Sequence, residues 1–144
     1  MNELVEQLLK EECYVIDFLP RKVAKAFAER FFEVEEYFLQ GNEWERIKES
    51  FVRILLKLQC FYDFKVYNEN WHEELSINEL ADMIKEVLSS SNGHMNMLSE
   101  EDKLLICIEG SSLNLSVYNA SEEIVTLLAE MATAEGLYIR KSEQ

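Results

Sequence analysis

The stretch from Asn42 to Tyr67, NEWERIKESFVRILLKLQCFYDFKVY, changes its hydrophobic period part-way along, and that change sets the fold class. Trp44, Ile47, Phe51, Ile54, Leu55, Leu58 and Tyr62 recur at the three-and-four spacing that lines one face of an α-helix, and Val52 and Leu56 widen that face. Asn42, with Glu45 three residues on, supplies a capping signature for the helix start. Around Cys60 the period falls to two. Tyr62, Phe64 and Val66 alternate with Asp63 and Lys65, as a strand buried on one face would. A long helix feeding directly into a strand places helices and sheet around one core.

Toward the N-terminus, Asn2 to Glu12 reads as a helix with Leu4, Val5, Leu8 and Leu9 on one side and glutamates on the other. Cys13 to Leu19 alternates Tyr14, Ile16 and Phe18 against Cys13, Val15, Asp17 and Leu19, which describes a strand buried largely on both faces. Pro20 ends it, since proline lacks a backbone donor and disfavours helical geometry at the residue before it. From Arg21 to Gln40, Val23, Phe27, Phe31, Val34 and Phe38 keep helical spacing, with Gly41 as the stop. Over residues 32–39 a period of two fits as well, if Glu36 faces water, so this part reads as helix or as strand.

Toward the C-terminus, Asn68 to Glu74 is a polar link apart from Trp71. Ser76 and Glu79 form a capping box for a helix that buries Ile77, Leu80, Ala81, Ile84, Val87 and Leu88. Ser89 to Lys103 has no clear period and reads as a loop, tacked down by Met95, Met97 and Leu98. Leu104 to Glu109 and Leu113 to Tyr118 alternate across Gly110-Ser111-Ser112 as a β-hairpin. Asn119 or Ser121 caps a helix that buries Ile124, Leu127, Leu128 and Met131 and stops at Gly136, and Leu137 to Arg140 make a last strand. The expectation is one α+β domain spanning 1–144: a mainly antiparallel sheet of about five strands, helices packed on one face, and a C-terminal ββαβ unit.

Charge narrows the partners. The chain has 28 acidic against 14 basic side chains, a net charge of −14. Residues 61–144 carry most of it, with sixteen acids against five bases, whereas residues 1–60 have twelve against nine. Such a field repels phosphate backbones and anionic lipid surfaces, which argues against nucleic-acid and membrane binding, and it attracts a basic protein partner. It also serves plain solubility. Cys13, Cys60 and Cys107 lie far apart, each inside an apolar run, and read as reduced core residues, unlike a disulfide framework or zinc spacing. Glu3 and Glu6 stand where a secretory signal would be basic and then continuously apolar, and no apolar run reaches the roughly 20 residues of a membrane span. A cytoplasmic protein is expected.

Chemistry-bearing patterns are sparse. Trp71-His72-Glu73-Glu74 offers an imidazole and two carboxylates, but adjacent residues point in different directions and no second histidine stands at metal spacing. His94 sits alone in the Ser/Gly/Asn stretch, and no nucleophile elbow or Gly-rich phosphate loop can be written. No cofactor is implied. Arg21, Lys22 and Lys25 form the one basic cluster, at a helix start where an anion could bind; the alternative is that Lys25 pairs with Glu29 one turn on. Trp44 fits the helical stripe as core, and Trp71 is the candidate for an exposed anchor or a pocket wall.

At the Tyr14–Pro20 strand, the Leu55-Leu56-Lys57-Leu58 helix end and the Val117-Tyr118-Asn119 and Gly136-Leu137-Tyr138 positions, the chain resembles small uncharacterised bacterial proteins of gut-type Firmicutes. Those points span most of the chain but are core and turn positions. The resemblance implies no activity and carries over no functional residue.

Three readings follow. The first is a non-enzymatic cytosolic protein that binds another protein through its acidic C-terminal half or an exposed apolar patch. The second, a special case of it, is an immunity or inhibitor protein steered onto a basic toxin. The third is a small-ligand binder or enzyme with a pocket beside the sheet and Trp71, His72 or the Arg21, Lys22 and Lys25 cluster at its mouth. A homodimer formed through a sheet face or edge fits all three.

Overall fold

In the computed structural model, which describes residues 2–142, the Asn42–Tyr67 passage contains the expected helix and strand. The order along the chain is α1 (Asn2–Leu8), β1 (Cys13–Asp17), a 3-10 turn (Lys25–Phe27), α2 (Ala28–Phe38), α3 (Gly41–Leu58), β2 (Lys65–Asn68) and β3 (Asn70–His72). Then come α4 (Ile77–Ser89), β4 (His94–Ser99), β5 (Leu104–Glu109), β6 (Asn114–Tyr118), α5 (Glu122–Ala134) and β7 (Tyr138–Lys141). All seven strands pair antiparallel in one sheet, ordered β3-β2-β4-β5-β6-β1-β7. The class is α+β, with two strands more than the sequence predicts.

Both extra strands come from segments read as loops. β4 lies between β2 and β5, with Met95 and Met97 fully buried. Its flanks hide it: Ser89 to Gly93 looks like turn chemistry, Glu100 to Asp102 looks like surface, and methionine is unbranched, so no strand signal stands out between them. Two ladder partners override that weak propensity. β3 is a three-residue edge, turned back on β2 through Glu69 at φ 67.

Alternate side chains of the central strands feed two apolar clusters. Met95 and Met97 of β4, and Leu104, Ile106 and Ile108 of β5, join the apolar faces of α3, α4 and α5. Phe51, Ile54, Leu55 and Leu58 of α3 have no measurable exposure. Removing each such side chain from water contributes about 1.5–3 kcal/mol, which anchors α3 as the main core helix. Leu98 and Leu105 point the other way and meet Leu8 of α1, with Leu4, Val5 and Trp71 around them. Because α1 shares the second cluster, the expectation that all helices lie on one face is replaced by helices on both.

Helix ends decide several boundaries. Gln40, not Asn42, precedes α3, and no side chain caps it. Gly41 at φ 53 joins α2 to α3 directly, so the helix starts before the expected cap. The Ser76–Glu79 capping box forms, with Ser76 Oγ accepting from the Glu79 N–H at 3.1 Å and Glu79 Oε1 accepting from the Ser76 N–H at 3.0 Å. Ser121 caps α5 by accepting from the Ile124 N–H at 3.3 Å, and Gly136 at φ 73 follows its end. Ile77, expected inside, is exposed, because it opens α4 on the solvent side. Residues 32–38 are helical, which settles the ambiguity over α2, although that helix starts only at Ala28. At the end of α3, the N–H groups of Cys60 and Phe61 donate to the carbonyls of Lys57 and Leu58, carrying the turn on and delaying β2 to Lys65.

Candidate anion-binding site

After β1 the chain must leave the sheet. Pro20 holds it out of helical geometry, and Phe18 to Ala24 form neither helix nor strand before the 3-10 turn begins at Lys25. On the neighbouring edge strand, β7, Tyr14 pairs with Lys141 and Val15 with Arg140. Arg21, Lys22 and Lys25 follow the C-terminal end of β1 while Arg140 and Lys141 pair toward its N-terminal half, yet these cations, about 120 residues apart in sequence, share one hollow. Arg21, Lys22, Lys25, Arg140 and Lys141, with Pro20, line an open hollow of about 550 Å³.

A second hollow of about 290 Å³ adjoins it and shares Arg21, Lys22, Lys25 and Arg140. Val23 and Ala24 are common to both, and the walls that belong to the smaller hollow alone are largely apolar: Phe18, Leu19, Ala28, Phe31 and Leu113. The ring of Phe18 lies 6.4 Å from that of Phe31 and 5.2 Å from that of Phe38, so an aromatic cluster backs this hollow. Asp17 and Glu35 are the two acids on its lining.

The five cations are not equally engaged. Arg140 Nη2 donates to Asp17 Oδ2 at 2.9 Å, while Asp17 Oδ1 accepts from the Phe18 N–H at 2.8 Å. Asp17 is only 6% exposed, and the pair fixes the guanidinium at the rim. Arg140 Nε is buried with no hydrogen-bond partner among the described residues. Lys141 Nζ lies 3.4 Å from Glu12 Oε2 at an exposed position. Arg21, Lys22 and Lys25 make no ion pair with any described residue, so the Lys25–Glu29 pair that would have accounted for the cluster is not formed. Three exposed cations therefore face the open hollow without carboxylate partners among the described residues. A ligand with negative charge gains from all three at once, most strongly at low ionic strength.

The other candidates lie elsewhere. Trp71 and His72 are on β3, the opposite edge of the sheet from β7. Trp71 is half-buried: its Nε1 donates to Asn2 Oδ1 at 3.2 Å, and its ring stacks obliquely on Tyr67 at 5.2 Å. It ties α1 to the β2–β3 hairpin and lines neither hollow beside β1. His72 pairs with Val66 in the ladder and touches neither hollow beside β1. Trp44 is partly buried against the core, with Lys48 Nζ 5.5 Å from its ring centre.

The thiols are not alike. Cys60 is exposed beyond the end of α3, not part of the core. Cys13 is buried, and desolvation raises its thiol above the ordinary value. Burial pushes Cys107 up to about 12, and likewise the nearby Tyr118 phenol. Cys13 and Cys107 therefore carry their protons at neutral pH, the unreactive form of a thiol. Among the described residues, no group of three or more His, Cys, Asp or Glu gathers as metal ligands would. No helix among them is long and apolar enough to cross a membrane.

Arg140 and Lys141 escaped the sequence reading because strand alternation alone drew notice there. A signal was available: they are two adjacent bases among only five in residues 61–144. What the sequence cannot show is that β1 pairs with β7 and so brings them to Arg21. Comparison of the chain with protein-family models, with curated proteins and with solved structures finds no match.

Proposed function

We propose that this protein is a binding domain for a small anionic ligand, held without covalent chemistry in the hollow beside β1. The observation that carries this reading is the meeting of Arg21, Lys22, Lys25, Arg140 and Lys141 at one concavity in a chain of net charge −14. Long-range attraction does not favour an anion here, so the local cations must supply the selectivity. Titration of inorganic phosphate into the protein at low salt, followed by amide chemical shifts, tests the reading. Shifts clustered at residues 17–25 and 138–141, lost in Lys22→Glu/Lys25→Glu, support it; no shifts, or shifts that survive the double reversal, defeat it.

A second reading, a protein-interaction domain, is favoured by a separate observation. Phe27, Phe32, Tyr37 and Phe61 stand 60–64% exposed, and α2 carries Glu29, Glu33, Glu35 and Glu36 against one Arg30. An acidic surface bearing aromatic side chains fits a basic partner with apolar anchors, and an immunity or inhibitor role is one form of it. Association that vanishes in high salt and in Phe32→Ser would bear that out; association indifferent to both would count against it.

A further inference from the structure

Resting on the anion-binding reading, we propose that the ligand is bipartite: a phosphate monoester on an aromatic group, its dianionic head among the cations and its ring in the apolar hollow. The two hollows adjoin and share the Arg21–Lys25 wall, but their remaining linings differ in kind. The larger has Lys141 and no acidic side chain on its lining, and its five cations keep three free of carboxylates among the described residues. A head with two charges and three acceptor oxygens satisfies that excess better than a single carboxylate does. Arg140, like Arg21, Lys22 and Lys25, stands on both linings, so head and ring would meet along that shared wall.

The smaller hollow selects the other end. At about 290 Å³ it is larger than the 150 Å³ cavity that suffices for benzene, so one aromatic ring fits with room for a substituent. Phe18 and Phe31 line it and belong to one ring cluster with Phe38, so an aromatic guest meets ring edges and faces in the offset and tilted geometries that aromatic pairs prefer. Asp17 and Glu35 stand on this same lining. They disfavour a second negative charge inside and keep the phosphate at the mouth. A long alkyl chain would overrun the volume.

The test compares three probes on the full chain at low salt by calorimetry: phenyl phosphate, inorganic phosphate and benzyl alcohol. Phenyl phosphate should bind at least about tenfold more tightly than inorganic phosphate, as burial of one ring allows. Phe31→Ser, and separately Leu19→Ser in case loss of the ring unsettles α2, should bring phenyl phosphate toward inorganic phosphate while leaving phosphate itself unchanged, since neither residue lines the larger hollow. Equal affinity of the two phosphates overturns the bipartite site and leaves the anion-binding reading standing. Failure of both phosphates to bind overturns both. Binding of benzyl alcohol as tight as phenyl phosphate, unaffected by Lys25→Glu, also overturns the proposal, because the charged head would then contribute nothing.

Discussion

Helices α2 and α3 are neighbours in the chain, joined across Gly41, yet they are held in opposite ways. α3 buries eight residues, and α2 buries none. α2 leans on the molecule through half-buried Phe31 and Phe38, which meet Phe18 just after β1. The difference teaches where stability and recognition are separated in this protein. α3 with the central strands forms a close-packed body, whereas α2 and the Phe18–Ala24 passage form a rim with little buried area to lose. Rim segments of that kind open at low free-energy cost, which suits the wall of a ligand site.

The contrast is broken most directly by truncating one aromatic residue from each helix. Phe51→Ala should cost about 3–5 kcal/mol by urea unfolding, and Phe31→Ala less than half as much. Equal losses would mean that α2 is as deeply engaged as α3. Asp17→Ala, at the junction of rim and sheet, should cost about 1–3 kcal/mol, because the Arg140 guanidinium loses its carboxylate. The same substitution should tighten phosphate binding by freeing that guanidinium. Weaker or unchanged binding in a folded Asp17→Ala protein would remove Arg140 from the site.

Smaller effects sharpen the picture of the body. Ser76→Ala removes one half of the capping box and should lower stability by about 1 kcal/mol. Glu135→Gln should cost a similar amount or less, about 0.5–1 kcal/mol at pH 7, since Arg53 donates to both carboxylate oxygens from a half-exposed position. The hydrogen bond from Arg53 holds the Glu135 carboxyl below its ordinary 4.5. That contribution is present above pH 4.5 and is lost as pH falls through the lower folded value, so the gap between native and Glu135→Gln proteins should close in acid. A gap that persists at pH 2 would point to packing instead of charge. Phe32→Ser on α2, 61% exposed, should move stability by less than about 0.5 kcal/mol.

The sequence by itself determined what short-range chemistry controls. The three-and-four spacing of Ile47, Phe51, Ile54, Leu55 and Leu58 made α3, because that face has no alternative to burial. The Ser76–Glu79 box, the Ser121 cap and the Gly136 stop followed from side chains that satisfy or release nearby backbone groups. The hairpin through Gly110 followed from alternation on both sides of a turn. The basic cluster at Arg21, Lys22 and Lys25 was visible as well, since three cations in five residues need no partner to be noticed.

Only the tertiary structure decided the rest. β4 is a strand because β2 and β5 supply ladders on both sides, a fact absent from its own Met- and Asn-containing sequence. Trp71 ties α1 to the sheet because α1 packs across the sheet's second face and brings Asn2 to it. The candidate site itself is a product of strand order. β1 lies between β6 and β7, and that placement sets Arg140 and Lys141 of β7 on one hollow with the cations that follow β1, while it leaves His72 at the far edge. Charges distant in sequence act together only when backbone pairing sets them side by side, and pairing is decided by the whole sheet, not by any one stretch of it.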